Sequence, residues 1–220
     1  MNPRHTFDQE LEALHIELIR MGGLAEEAIG ESISAFRNHD KVLANAIIRG
    51  DDQIDDMEKR IESRCLNLIL RQQPVAGDLR KISAALKMVT DIERIADHAA
   101  DIAEISMQIN GEYIIDLVQH IPGMAEAAAG MVHEAIDAFV NADLEAAERI
   151  IGEDDIVDEL FCQVKADLAE TLKQDKDMFN NSIDFLLIAK YLERIADHAV
   201  NICEWVLFSE TGIHKDKKIM

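Results

Sequence analysis

Asp91-Ile92-Glu93-Arg94-Ile95-Ala96-Asp97-His98-Ala99 decides the fold, because its last seven residues return letter for letter as Glu193-Arg194-Ile195-Ala196-Asp197-His198-Ala199. The stretch holds no Gly or Pro and places Ile92, Ile95, Ala96 and Ala99 at three-and-four spacing, which predicts an amphipathic helix. Glu93 and Asp97 are four apart and so share one face, about 6 Å from each other. A carboxylate pair on a helix, occurring twice at a period of 100 residues, is the feature that any functional account must explain.

Outward from this stretch the same plan recurs. At a separation of 103, Phe36, Asn38, Asp40, Ala44, Ile47 and Asp51 match Phe139, Asn141, Asp143, Ala147, Ile150 and Asp154. Upstream, a first helix carries Phe7, Leu11, Leu14, Leu18, Met21, Ala25, Ile29, Ile33 and Phe36 and ends near Asn38-His39. Gly22-Gly23 in its middle costs about 1 kcal/mol per residue against Ala, so the pair marks a close-packing point or a kink. Asp40 is the N-cap of a second helix whose stripe runs Leu43, Ile47, Ile54, Met57, Ile61, Cys65 and Leu68 until Pro74 stops it. A third helix begins near Asp78 and runs towards Ile109, with Asn110-Gly111 ending the first half. In the second half Asp175-Lys176-Asp177 takes the place of the Pro74 turn.

The pattern predicts an all-α fold, a tandem repeat of two three-helix bundles with six helices and pseudo-twofold symmetry. The first repeat spans 1–110 and the second 111–208, each large enough for its own core, and 209–220 reads as a frayed, flexible tail.

Composition narrows the function. With 220 residues and a formal net charge of −21, the chain repels nucleic-acid phosphates and anionic membrane surfaces, so direct binding to either is not expected. No stretch reaches the roughly 18 uncharged apolar residues of a membrane span, and no signal peptide opens the chain. Cys65, Cys162 and Cys203 are few, odd in number and far apart, as in a reduced cytoplasmic protein.

The second helix supplies the rest of a candidate site. Asp51 and Asp55, repeated as Asp154 and Asp158, fall about 60–100° from the core stripe, whereas Asp52 and Asp56 fall about 160–200° round and face solvent. Glu93 and Asp97 fall about 100–140° round on the like-handed flank of the third helix. Their heights agree, since the midpoint of 51–55 and 93–97 is Pro74, and that of 154–158 and 193–197 lies inside the second predicted turn. The bundle's handedness decides whether the flanks meet. Clustered carboxylates repel unless a cation joins them, and all-oxygen sites suit Mg²⁺, Mn²⁺, Ca²⁺ or Fe, while Zn²⁺ prefers His or Cys. The bland alternative is a solvated acidic face with Arg94 and Arg194 as ordinary ion-pair partners. His98 and His198 sit about 100° from the neighbouring Asp and leave the carboxylate flank. Neither a nucleophile with its base nor a phosphate-cradling loop appears.

Six cations, Lys59, Arg60, Arg64, Arg71, Arg80 and Lys81, gather beside Pro74. Helix-dipole compensation does not cover Arg80 and Lys81, which lie near a helix start, so the group is read as a surface that steers towards an acidic partner.

Met21-Gly22-Gly23, Arg71-Gln72-Gln73-Pro74 followed by Asp78-Leu79-Arg80, and Glu-Arg-Ile-Ala-Asp near the end of each half together resemble the PhoU family over nearly the whole chain. The resemblance implies a non-enzymatic cytoplasmic accessory protein of the phosphate-specific ABC transporter, a negative regulator of the phosphate-starvation response linking the ATPase PstB to the sensor kinase PhoR. It also implies a homodimer that reaches the membrane only through its partners. The family's metal motifs carry over onto Asp51, Asp55, Glu93, Asp97, Asp154, Asp158, Glu193 and Asp197, with Fe, Mn, Mg or Zn as the metal. This chain has Ala96-Asp97-His98 where many members have Gly before the Asp and no His after it. The alternatives are a metal-dependent carboxylate-site enzyme on a helical bundle, told apart by turnover, and a metal-free helical scaffold, told apart by dialysis.

Overall fold

A computed structural model describes residues 3–109, 119–215 and 217–218. Six helices build it: α1 (Pro3–Asn38), α2 (Lys41–Gln72), α3 (Ala76–Gln108), α4 (His120–Asn141), α5 (Leu144–Gln174) and α6 (Phe179–Thr211). The all-α repeat of two three-helix units is the architecture found. Asn110-Gly111, taken as the end of the first half, lie outside the described residues.

The corners repeat as faithfully as the sequence. Asp40 accepts hydrogen bonds from the amides of Val42 and Leu43, each at 3.0 Å, and its counterpart Asp143 accepts from the amide of Ala146 at 3.0 Å. Each cap satisfies amides that the first helical turn leaves without partners. The residue before each cap, His39 or Ala142, adopts the left-handed conformation that closes the preceding helix. The third-helix turns differ: Gln73 reverses the chain before Pro74, whereas Asp175 leads into a 3₁₀ turn at Lys176–Met178. That difference absorbs the three-residue change of register.

The two halves do not keep separate cores. Buried residues from all six helices form one contiguous cluster, with α3 and α6 packed against each other at its centre. Phe36 of α1 meets Phe185 of α6 edge to face at 5.6 Å. Small residues on α3, Ala84, Ala85, Ala99 and Ala103, are fully buried and let the neighbouring backbones come close. At Gly22 of α1 an added Cβ would stand 2.0 Å from Ile136 Cδ1 of α4. Gly22 is therefore the close-packing point between the halves, and α1 runs unbroken through it. A periodicity argument assigns apolar faces to helices, but whether two faces close on each other or on a second bundle depends on the total apolar area each helix presents.

The segment from Ser209, read as a flexible tail, is not free over its described part. Ser209 is buried, α6 continues to Thr211, and Gly212 takes φ 75° to reverse the chain. Ile213–His214 then pair antiparallel with Lys217–Lys218. His214 stacks on Trp205 at 3.9 Å, and the Lys215 amide donates to Glu204 Oε2 at 3.1 Å. The flat aromatic surface of Trp205, nearly two turns before the end of α6, gives this short hairpin its anchor.

Candidate metal centre

The flanks of α2 and α3 face each other. Carboxylate oxygens of Asp51, Asp55 and Asp97 lie within 4.8 Å of one another, the only such group among the described residues. Glu93 stands one turn along α3, close enough for Asp97 and Asp55 to act on its charge. In the second half Asp197, Asp158 and Glu193 likewise surround Asp154. The eight carboxylates predicted from spacing thus stand as two sets of four, one on each of the α2-α3 and α5-α6 hairpins, and among the described residues only the first set brings three oxygens within 4.8 Å. Asp52 and Asp56 point into solvent, as helix geometry required.

These carboxylates are short of partners. Asp51 Oδ1, Glu93 Oε2 and Asp154 Oδ1 are buried atoms that no hydrogen bond reaches. Burial, then Asp97 and Asp55, pushes the Asp51 carboxyl up to about 6. Burial with Asp197 and Asp158 does the same to Asp154, also to about 6. Burial and Asp97 push Glu93 up to about 7 although Arg94 opposes them. Asp197 is raised by burial and Glu193, against Lys190. Leaving buried acceptors unmade costs free energy, and a cation seated among them removes that cost together with the mutual repulsion.

Some countercharge is present. Arg94 reaches Asp97 at 2.7 Å and Glu93 at 3.4 Å from the solvent side, the latter without hydrogen-bond geometry. Lys59 lies 3.9 Å from Asp55 and 3.6 Å from Asp56, and Lys190 contacts Glu193. The exposed cations Lys59 and Arg94 form pairs worth about 0–1 kcal/mol each, too little to hold the first groove shut against a divalent ion. The donor set is oxygen throughout and fits a hard cation such as Mg²⁺, Mn²⁺ or Fe better than Zn²⁺.

The histidines go elsewhere. His98 is buried, with Nδ1 3.4 Å from Asp101 Oδ2 and its ring 5.6 Å from that of His198 and 5.3 Å from Tyr191. His198 Nδ1 lies 2.8 Å from Asp91 Oδ1, which the Asn201 amide also approaches at 3.4 Å. Both imidazoles belong to the α3-α6 contact, turned off the carboxylate flank by the 100° step from the preceding Asp. Burial, against the pull of Asp101, lowers the basicity of His98.

Sequence reasoning missed Glu58. It lies three residues after Asp55 on the same flank, acts on Glu93, and is itself held above the ordinary carboxylate range by burial and Glu62, against a hydrogen bond from Thr90. A search for what repeats passes over it, because its counterpart is Phe161. The i, i+4, i+7 spacing from Asp51 was the signal that could have found it. Two of the cations beside Pro74 also have a different use from that expected. Arg80 and Lys81 bind the end of α6, where Lys81 meets Glu210 at 3.3 Å.

Known proteins are similar to this chain over most of its length. A PhoU domain model matches residues 18–106 and again 121–206. The phosphate-specific transport system accessory protein PhoU homolog of Clostridium acetobutylicum is 41% identical over 214 residues, 97% of this chain and 98% of that one. The corresponding protein of Escherichia coli K12 is 30% identical over 206 residues, 94% of this chain and 86% of its own length. Among solved structures, PhoU from Pseudomonas aeruginosa superposes with a TM-score of 0.86 at 33% identity, covering 94% of this chain and all of that one. The phosphate transport system regulatory protein PhoU of Streptococcus pneumoniae superposes at 0.89 with 28% identity, over 96% of this chain and all of its own.

Proposed function

This chain belongs to the PhoU family, whose members are named as accessory or regulatory proteins rather than enzymes, and from that premise we propose that it is a metal-binding accessory protein of a phosphate-specific transport system. In this reading it acts in the cytoplasm as a negative regulator of the phosphate-starvation response, between the transporter ATPase PstB and the sensor kinase PhoR. The family likeness over nearly the whole chain supports the transport role. Among the described residues no helix is long and apolar enough to cross a membrane.

The metal part rests on one observation, the buried carboxylate oxygens without hydrogen-bond partners in both grooves. Asp51, Asp55, Glu93 and Asp97 would hold a cation in the first groove, and Asp154, Asp158, Glu193 and Asp197 in the second. A bound divalent ion would supply charge that ties the two helices of a hairpin together and makes the geometry of the bundle responsive to metal supply. The protein's own residues do the rest: α2 and α5 present two aspartates each, and α3 and α6 close on them from the other side.

A homodimer belongs to the same reading. Phe179, Ile183, Leu186 and Leu187 leave an apolar run on α6 between 38% and 58% exposed, more than an isolated surface helix needs. Sedimentation of wild type against Leu186→Glu with Leu187→Glu tests it.

Metal analysis of protein purified without chelator tests the main proposal. Bound Mn, Fe or Mg is expected, reduced by Glu93→Gln with Asp97→Asn and unchanged by Asp52→Asn with Asp56→Asn. Protein that arrives metal-free and retains no Mn²⁺ in equilibrium dialysis overturns it.

A further inference from the structure

The two carboxylate grooves come from one repeat, yet their surroundings carry opposite charge. Beside the first groove stand Glu58, Glu62 and Thr90. The repeat-equivalent positions beside the second hold Phe161, Lys165 and Lys190. An acidic neighbourhood has been exchanged for a basic one while all eight groove carboxylates were kept.

The geometry follows the exchange. The Lys190 ammonium contacts the Glu193 carboxylate and lies 5.7 Å from the centre of the Phe161 ring, which the Lys165 ammonium approaches at 4.5 Å. Both ammoniums thus stand within cation-π distance of one aromatic ring, and that of Lys190 also meets a groove carboxylate. In the first half the ring is replaced by the Glu58 carboxylate and the lysine by Thr90, whose hydroxyl hydrogen-bonds Glu58. The partners of the paired glutamates differ accordingly. Glu93 Oε2 is buried without a hydrogen bond, whereas Glu193 Oε2 receives one from Lys190. Only the first groove brings three carboxylate oxygens within 4.8 Å, among the described residues.

With Lys59 and Arg94 counted, the first groove and its rim keep a surplus of four negative charges. With Lys165, Lys190 and Arg194 counted, the second keeps one. The attraction of a divalent ion falls with distance and with the local dielectric constant, so charges within the first few ångströms decide its affinity. Arg94 does not equalise the halves, since it gives its hydrogen bond to Asp97 and leaves Glu93 Oε2 without one, while Lys190 donates to Glu193 and lies beside the Phe161 ring.

We infer that the two grooves are unequal: the first is the tight divalent-cation site of this chain, and in the second the Lys190 ammonium stands in for the metal, which binds there only in competition with it. This rests on the metal-binding reading above. The repeat has thus kept one responsive site and placed a lysine of α6 on the paired glutamate of the other.

Chelator-stripped full-length protein titrated with Mn²⁺, with free Mn²⁺ read from its aqueous electron paramagnetic resonance signal, tests the inference. Wild type is expected to show two classes of site separated by at least about tenfold in Kd. Lys190→Met should tighten the weak class by about tenfold, and Lys190→Arg should leave it weak, because the charge is retained. Phe161→Glu with Lys190→Thr, which installs the first-half residues, should bring the two classes within about threefold of each other. Glu58→Phe with Thr90→Lys should weaken the tight class instead. A single class of equal sites in wild type, or a weak class that Lys190→Met leaves unmoved, overturns this inference while metal binding stands. Absence of Mn²⁺ binding in wild type overturns both.

Discussion

Arg80 Nε lies 3.1 Å from the main-chain carbonyl oxygen of Ser209, so a side chain from the start of α3 closes the end of α6. Its Nη2 reaches the Glu210 carbonyl at 3.2 Å as well. A guanidinium is unfavourable beside its own helix N-terminus, but here it satisfies two carbonyls that the last turn of α6 leaves open, at the negative end of that helix dipole. Arg80→Ala should destabilise the protein by about 1–3 kcal/mol, which lowers Tm by roughly 2–4 °C per kcal/mol for a chain of this size. Lys81→Ala, losing a part-exposed ion pair, should cost less than about 1 kcal/mol. Thermal unfolding checks both, and equal effects would mean that the carbonyl contacts add nothing.

Gly22 and Gly23 should respond oppositely to the same substitution. A methyl group at Gly22 collides with Ile136, so Gly22→Ala should cost about 1–3 kcal/mol. Gly23 has open space around its Cβ position, so Gly23→Ala should gain up to about 1 kcal/mol from helix propensity. Ile136→Val removes the colliding Cδ1 and should recover part of the Gly22→Ala loss. Denaturant unfolding of the four variants measures this coupling, and strict additivity would place the strain somewhere other than the α1-α4 contact.

The cation-free protein should lose stability as pH rises through the carboxylate range. Asp51 and Asp154 sit at about 6 and Glu93 at about 7 when folded, against about 4 in an unfolded chain. The folded state therefore binds more protons between about pH 4 and pH 7, and the contribution of these groups is fully present below that window and lost across it. In chelator, Asp51→Asn with Glu93→Gln and Asp154→Asn should gain on wild type as pH increases from 4.5 to 8. Added Mn²⁺ should reverse the order. A wild type that gains on the variant with rising pH in chelator contradicts the shifts.

Arg60 and Arg71 should carry the docking of a partner, because the other cations near Pro74 are engaged. Arg64 is held by Glu10 at 2.7 Å and Glu17 at 2.9 Å, Lys59 by Asp55 and Asp56, and Arg80 and Lys81 by α6. Arg60 and Arg71 make no ion pair among the described residues and line, with Ser63 and Asn67, a cleft of about 390 Å³. Free guanidiniums at a rim act mainly on association rate and lose their effect in salt. Arg60→Glu with Arg71→Glu should slow association with the transporter ATPase, most at low ionic strength, while helicity and metal content stay as in wild type. Unchanged association at low salt would move the docking surface elsewhere.

The helices, their caps at Asp40 and Asp143, the repeat, and the level at which Asp51 and Asp55 stand beside Glu93 and Asp97 were legible in the sequence by itself. Each follows from local geometry, since a helix turns by about 100° and rises about 1.5 Å per residue whatever surrounds it. Contacts between distant residues carry no such periodic signal, and tertiary structure alone decided them. It turned the α2 flank towards α3, joined two expected cores through Phe36 with Phe185 and Gly22 with Ile136, and committed Arg80 to the end of α6. It also made the two grooves different, because across the hairpin Glu58 meets the charge of Glu93 in one half, whereas Phe161 in the same repeat position meets Lys190 in the other.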